Sequence, residues 1–218
     1  RVFTRVFGDD IPHNEHTETF REPTEIDQIS HLTRSIETAG VNKKSVEARR
    51  EVLEELERVS PHFSAYLAAN SHLAATLPLA GESVEMADHA GILIAAVESK
   101  RKFGERLTAL RKIWPRLLFD IVIPDLFGEI SLREAKRRQT DLAEATIKAA
   151  LFAVEQELAV RCHPAKVALD MSILALGKLG GRGLDYGSDL DLVIVYFDPN
   201  TTVGGMTAAE FYSRAVEL

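Results

Sequence analysis

Ile173-Leu174-Ala175-Leu176-Gly177-Lys178-Leu179-Gly180-Gly181-Arg182-Gly183-Leu184-Asp185-Tyr186-Gly187-Ser188-Asp189-Leu190-Asp191-Leu192-Val193-Ile194-Val195-Tyr196-Phe197 is the stretch on which the fold of this chain is decided. The apolar run Ile173 to Leu176 is short enough to be a buried strand. Leu192 to Phe197 is rich in β-branched and aromatic residues, as strands prefer. The stretch therefore reads as strand, glycine-rich loop, strand, with two carboxylates at the start of the second strand. Side chains alternate faces along extended backbone, so Asp189 and Asp191 share one side while Leu190 and Leu192 take the other. Two like charges side by side call for a cation between them. Hard oxygen donors with no Cys or His beside them favour Mg²⁺ or Mn²⁺.

The loop reinforces that reading. Gly177, Gly180, Gly181, Gly183 and Gly187 let the backbone approach an anion closely, and Ser188 adds a hydroxyl. It is not a Walker A loop, because Lys178 is followed by Leu179 and Ser172 stands where the first glycine belongs. It is not the dinucleotide fingerprint either, since no Gly-x-Gly-x-x-Gly occurs. A glycine-rich loop alone reads equally as a flexible connection, and a lone Asp-x-Asp as decoration of a solvated strand edge. Coupled together, they place the carboxylates at the mouth of a buried strand, where unpaired charge is costly.

Working outward, residues 1–44 read as a tail or linker with one short helix, Thr24 to Glu37, ended by Gly40. His13-Asn14-Glu15-His16 in that tail lacks further ligands and reads as decoration. Residues 45–165 are helical by periodicity. Val46, Leu53, Leu56 and Val59 mark one helix, and Ser60-Pro61 caps the next. Leu73 to Leu77 reads as a further short helix before Pro78, and Ser83 to Glu98 as another. Phe103 to Phe127 follows, with Pro115 expected to kink or divide it and Pro124 to limit its end. Ser131-x-x-Glu134 has capping-box spacing and opens the longest helix, to Val160, with a stripe through Leu142, Ala145, Ala149, Phe152 and Val160. Its basic run Lys136-Arg137-Arg138 reads as a solvated face or a contact for a partner or phosphate. Residues 166–218 hold the strands, turns at Asp198-Pro199-Asn200 and Gly204-Gly205, and a closing helix with Thr207 as N-cap. Asp198 lies seven residues past Asp191, roughly 20 Å along a strand, too far to join the pair. Asp185 reads as a loop or supporting residue, Tyr186 as packing and Cys162 as an incidental thiol.

With 218 residues and a net charge of −7, the chain can bury a sizeable core but does not present a general nucleic-acid or anionic-membrane surface. One cysteine excludes an intrachain disulfide and suits the cytoplasm. No apolar run approaches membrane-spanning length. An opening Arg1 in place of Met reads as part of a longer protein.

Gly177-Lys178-Leu179-Gly180-Gly181-Arg182, followed by Ser188-Asp189-Leu190-Asp191-Leu192, resembles the nucleotidyltransferase core of glutamine synthetase adenylyltransferases, within the polymerase-β-like superfamily. The likeness is close from Ile173 to Tyr196, continues through Phe211-Tyr212, and reaches back more faintly through Ser60 to Leu77 and Leu117 to Leu158. It implies an α+β fold: a mostly helical region followed by the first strands of a nucleotidyltransferase core. It implies AMP transfer from ATP to a tyrosine of glutamine synthetase, or phosphorolytic removal, under control of a PII signal protein. It assigns Asp189 and Asp191 to Mg²⁺ and catalysis, and Gly177, Lys178, Gly180, Gly181, Arg182 and Ser188 to the nucleotide. Two positions depart from the family pattern: Gly183 replaces a usual Glu and Gly187 a usual Ser, which loosens the loop. The family's third carboxylate falls on a later strand, beyond Leu218, so the piece alone is expected to lack turnover. The rival reading is a helical interaction module with a degenerate nucleotide-binding remnant; a nucleotidyltransferase with another acceptor is a third.

Overall fold

The computed structural model describes residues 25–81, 87–162, 170–197, 202–203 and 206–217. The fold is α+β, mostly helical with a small antiparallel sheet. Two compact units divide the chain. One holds the described residues of Gly8–Ala87 with Pro115–Ala135; the other holds Asp88–Trp114 and the described residues of Lys136–Leu218.

In the first unit, α1 (Glu25–Thr38), α2 (Lys43–Val59) and α3 (Pro61–Ala69) pack with a 3₁₀ turn, Ser71–Thr76. Leu32 and Ile36 of α1 are fully buried, so this helix is core and not a dangling tail. Gly40 takes φ +76 just past its end. Asn42 caps α2, its side-chain oxygen accepting the Ser45 amide at 2.9 Å. Val46, Val52, Leu53 and Leu56 are the buried stripe of α2, while Val59 at its last position is exposed. Pro61 fills the first position of α3, where a missing amide costs nothing. Phe119 stands edge-on to Phe63 at 5.8 Å between ring centroids.

The helix expected from Ser83 begins only at α4 (His89–Glu98). Asp88 is the reason: its carboxylate accepts the Gly91 amide at 2.9 Å and ends the chain's approach with a cap. Val84 lies outside the described residues. α5 (Phe103–Leu126) runs unbroken through Pro115 and two residues past Pro124. Each proline removes one helix bond. Leu117, Phe119, Ile121, Val122 and Ile123 are all buried, and that packing outweighs the lost bonds.

α6 (Leu132–Cys162) is the longest element, and Ser131 Oγ accepts the Glu134 amide at its start. Leu142, Ala145, Ala149 and Ala153 are buried, whereas Val160 is exposed and Phe152 half-buried. In the second unit, β1 (Met171–Ala175) pairs antiparallel with β2 (Leu192–Tyr196), Ala175 opposite Leu192 and Met171 opposite Tyr196. Neither strand is buried on both faces, contrary to the sequence reading. Burial alternates, because helices cover one side only: Met171 packs on Val154 and Leu158 of α6, and Leu174, Val193 and Val195 face outward. Between the strands lies α7, the single turn Gly177–Gly180. A two-residue pairing of β3 (Thr202–Val203) with β4 (Met206–Thr207) precedes α8 (Ala208–Glu217). Asp198 and Leu218, His13 and His16, lie outside the described residues, as does the side chain of Cys162.

α8 closes the unit. Thr207 and Glu210 form a reciprocal capping box, with the Thr207 amide donating to Glu210 Oε2 at 2.9 Å and the Glu210 amide donating to Thr207 Oγ1 at 3.3 Å. The Thr207 amide first, then its hydroxyl, which donates to the same Oε2 at 2.9 Å, hold the Glu210 carboxyl below its ordinary value. Phe211, Tyr212 and Ala215 bury against Val154 and Leu158, and Tyr212 stacks on Tyr196 at 4.4 Å. Phe211→Ala is expected to destabilise the protein by about 3–5 kcal/mol, and Thr207→Ala by about 1 kcal/mol, in chemical denaturation. An effect of Phe211→Ala no larger than the cap's would remove α8 from the core.

Candidate active site

The loop between β1 and β2 is built by close approach at two glycines. A Cβ on Gly180 would lie 2.3 Å from the carbonyl oxygen of Ala175, so α7 folds directly onto the end of β1. At Gly177, φ is +55 and a Cβ would meet Asp191 Oδ2 at 2.6 Å. That glycine makes room for the carboxylate. The Leu176 amide donates to the Asp191 carbonyl at 2.9 Å, extending the ladder one residue beyond the two strands.

Leu190 and Leu192 pack on Ala143, Leu179 and Leu184, leaving Asp189 and Asp191 exposed on the opposite side. Both carboxylates thus precede β2, which starts at Leu192 and not at Asp189 as expected, and they stand in solvent and not in a buried mouth. Among the described residues no group of three or more His, Cys, Asp or Glu side chains is placed to hold a metal ion. Two carboxylates alone still suit a hard cation that keeps several waters and takes its remaining ligands from substrate phosphates, as Mg²⁺ does.

The loop backbone is occupied with its own turn. The amides of Gly180 and Gly181 donate to the carbonyls of Leu176 and Gly177, and the Ser188 amide to that of Asp185. Arg182 donates to Leu179 at 3.0 Å and Gly183 to Lys178 at 2.9 Å, the double closure of a Schellman motif. The left-handed residue of that motif is usually glycine; here it is Arg182, at φ +51. A side chain in that region costs roughly 1–2 kcal/mol. Of the two departures from the family pattern, Gly187 stands at φ +69, and a Cβ on Gly183 would meet only the Gly181 carbonyl at 3.9 Å.

Side chains then tie the loop to α6. Lys136 Nζ lies 2.6 Å from Asp185 Oδ1, and Lys178 Nζ 2.8 Å from Asp185 Oδ2. Lys178 also donates to the Ser188 hydroxyl at 3.4 Å. Arg182 spreads its guanidinium over Glu144 Oε1 at 2.7 Å and Asp141 Oδ1 at 2.5 Å. The other Asp141 oxygen takes Arg137 at 2.8 Å. Beneath these pairs, Leu179 and Leu184 bury against Ala143 and Ile147, and the Leu184 amide donates to Thr140 Oγ1 at 3.4 Å. Of the basic run, Lys136 is a loop contact and Arg137 a pair within the helix. The Lys136 ammonium first, then that of Lys178, hold the Asp185 carboxyl down at about 2. The structure therefore groups Lys178 with Ser188 and Gly177 with Asp191, and engages Arg182 with the helix. Asp141, Glu144 and Thr140 escaped the sequence reading, because their partners lie about forty residues away and their spacing is that of any solvated helix face.

A profile for the glutamate-ammonia ligase adenylyltransferase family matches residues 46–217. Relatives bear the name bifunctional glutamine synthetase adenylyltransferase/adenylyl-removing enzyme. The one from Mesorhizobium japonicum is 41% identical over 104 residues, 48% of this chain and 10% of that protein. Those from Burkholderia mallei and Bordetella pertussis are 36% and 37% identical, over 49% and 48% of this chain and 12% of each relative. The chain thus spans about an eighth of the length of the curated relatives it matches.

Because its folded value lies below the ordinary 3.8, Asp185 contributes stability that is complete above that pH and is lost as the pH falls through about 2. Carboxyl NMR is expected to place its midpoint near 2 and to move it toward 3.8 in Lys136→Met; an ordinary midpoint in the parent would dissolve the clasp. Gly180→Ala should cost about 1–3 kcal/mol in denaturation, since the Ala175 carbonyl is backbone and must be displaced. A neutral result would show that the turn is not seated on β1.

Proposed function

Because this chain belongs to the glutamate-ammonia ligase adenylyltransferase family, we propose that its Gly177–Asp191 segment holds the triphosphate of Mg²⁺-bound ATP. The reaction it serves is transfer of AMP to a tyrosine hydroxyl of glutamine synthetase, or phosphorolytic removal of that AMP. What carries the reading is one arrangement inside the matched region: Asp189 and Asp191 exposed on one side of an extended segment, with Asp191 seated against Gly177 and Lys178 held beside Ser188.

Asp189 and Asp191 would hold the cation, Mg²⁺ or Mn²⁺. When bound, it neutralises charge on the triphosphate and lowers the pKa of an attacking hydroxyl. The chain's own groups supply the rest. The Lys178 ammonium and the Ser188 hydroxyl orient the β- and γ-phosphates and stabilise charge that develops on departing pyrophosphate. Gly177, Gly180 and Gly181 keep the backbone low enough for phosphate oxygens to come close. Arg182 belongs to the nucleotide site through the turn it holds. The same reading makes glutamine synthetase the acceptor, a PII signal protein the regulator and the cytoplasm the setting. No described helix is long and apolar enough to cross a membrane.

The test is AMP incorporation into glutamine synthetase from labelled ATP by the intact protein. Asp189→Asn and Asp191→Asn are each expected to lower the rate by roughly 100-fold or more, with the circular dichroism spectrum unchanged. Near-parental rates in either variant would separate the aspartates from the chemistry. Binding of a protein partner that persists in both variants, with no nucleotide binding by the parent, would favour the interaction-module reading instead.

A further inference from the structure

Arg182 combines two features that a phosphate-binding arginine does not need. Its backbone occupies a left-handed position where glycine is at home, and its guanidinium is already spread over two carboxylates of α6. The second offsets the first. Asp141 and Glu144 pair with the side chain, φ stands at +51, and the Gly183 amide meets the Lys178 carbonyl. Released from the fork, a non-glycine residue relaxes toward right-handed or extended backbone, and the closure opens. Lys178 lies inside that closure.

The helical spacing makes the arrangement rigid. Arg137, Asp141 and Glu144 follow one another at i, i+4 and i+7, one stripe of α6. Lys136, Thr140, Ala143 and Ile147 form the neighbouring stripe, which carries the Asp185 clasp, the Leu184 amide and the apolar seat of Leu179. We propose that Asp141 and Glu144 are positioning residues for the nucleotide loop, acting through Arg182 to set where Lys178 and Ser188 stand relative to the aspartate pair. This rests on the reading of Gly177–Asp191 as the triphosphate site.

Direct phosphate contact by Arg182 and anchoring by Arg182 give opposite signs. The experiment measures the Kd of Mg²⁺·ATP by calorimetry on the intact protein, and amide exchange at Arg182 and Gly183 without nucleotide. Asp141→Asn with Glu144→Gln keeps the shape and removes both charges; Arg182→Ala removes the fork and leaves a side chain in the left-handed position. Both are expected to weaken Mg²⁺·ATP by roughly three- to tenfold, the scale of a partly exposed ion-pair network, and to speed exchange at Gly183. Unchanged or tighter binding in the double variant, alongside loss in Arg182→Ala, would mean that the carboxylates compete with phosphate for the guanidinium, and overturns the proposal. Faster exchange with unchanged Kd would make the contact merely structural and also overturns it. A parent that fails to bind Mg²⁺·ATP would instead overturn the reading of the site on which this inference rests.

Discussion

A two-stranded sheet is marginal in water by itself, and the loop between β1 and β2 spends much of its backbone hydrogen bonding on its own turns. What gives both a fixed place is α6. Along this one helix, Ala143 and Ile147 seat Leu179, Leu184, Leu190 and Leu192, and a few turns later Val154 and Leu158 seat Met171 and α8. Those positions repeat at helical spacing, so this one helix offers one apolar cluster to the loop and a second to the sheet and closing helix. The alternation of β2 and of the residues leading into it then follows. Leu190, Leu192 and Ile194 are part-buried, and Asp189, Asp191, Val193 and Val195 are exposed.

Charge sharpens what the apolar clusters hold loosely. Individually, partly exposed ion pairs contribute little, about 0–1 kcal/mol. Here they come as a network with fixed geometry: two lysines on Asp185, and an arginine fork on Asp141 and Glu144, with Arg137 on the remaining oxygen. The segment between the two clasps is the short stretch carrying Leu184, whose side chain is buried. A loop pinned on both sides of a buried leucine has little freedom left. Preorganisation of this kind matters in phosphoryl chemistry, where positioning and electrostatics supply most of the acceleration.

Much of this was legible in the amino-acid order, and the reasons are specific. The strands, the glycine loop and the N-cap at Thr207 are written locally, in β-branched runs and in a threonine ahead of an apolar-periodic run; the reciprocal bond from Glu210 is what the structure adds. α6 was legible from its periodicity, although Val160 was assigned to the core, because a stripe drawn at constant period overruns the point where the partner surface ends. Pro115 misled for the opposite reason: a local rule about one missing amide lost to the burial of Leu117, Phe119 and Ile121 around it. The start of α4 was misplaced because Asp88 caps it, and an Asp within an apolar-periodic run gives no sign of which side of the cap it is on. The anchors of the loop were beyond reach in the sequence. Asp141 and Glu144 meet Arg182 only after the chain has folded back on itself.

The exposure of Asp189 and Asp191 changes the physical argument for a cation. In a low-dielectric mouth, two adjacent carboxylates would demand neutralisation merely to fold. In water, two unit charges about 4 Å apart repel by only about 1 kcal/mol, so the pair is tolerable as it stands. The affinity for a divalent ion then cannot come chiefly from relief of that repulsion. On the proposed reading it would come from ligands that arrive together, with two carboxylate donors from the chain, phosphate oxygens from the nucleotide, and water in the remaining positions. A site of that kind places its demand on the loop, which has to present Lys178 and Ser188 at the right distance from the carboxylates for both sets of ligands to be satisfied at once. On that proposal, the pinning of the loop on α6 and the binding of the metal are one problem, the first seen from the phosphate side.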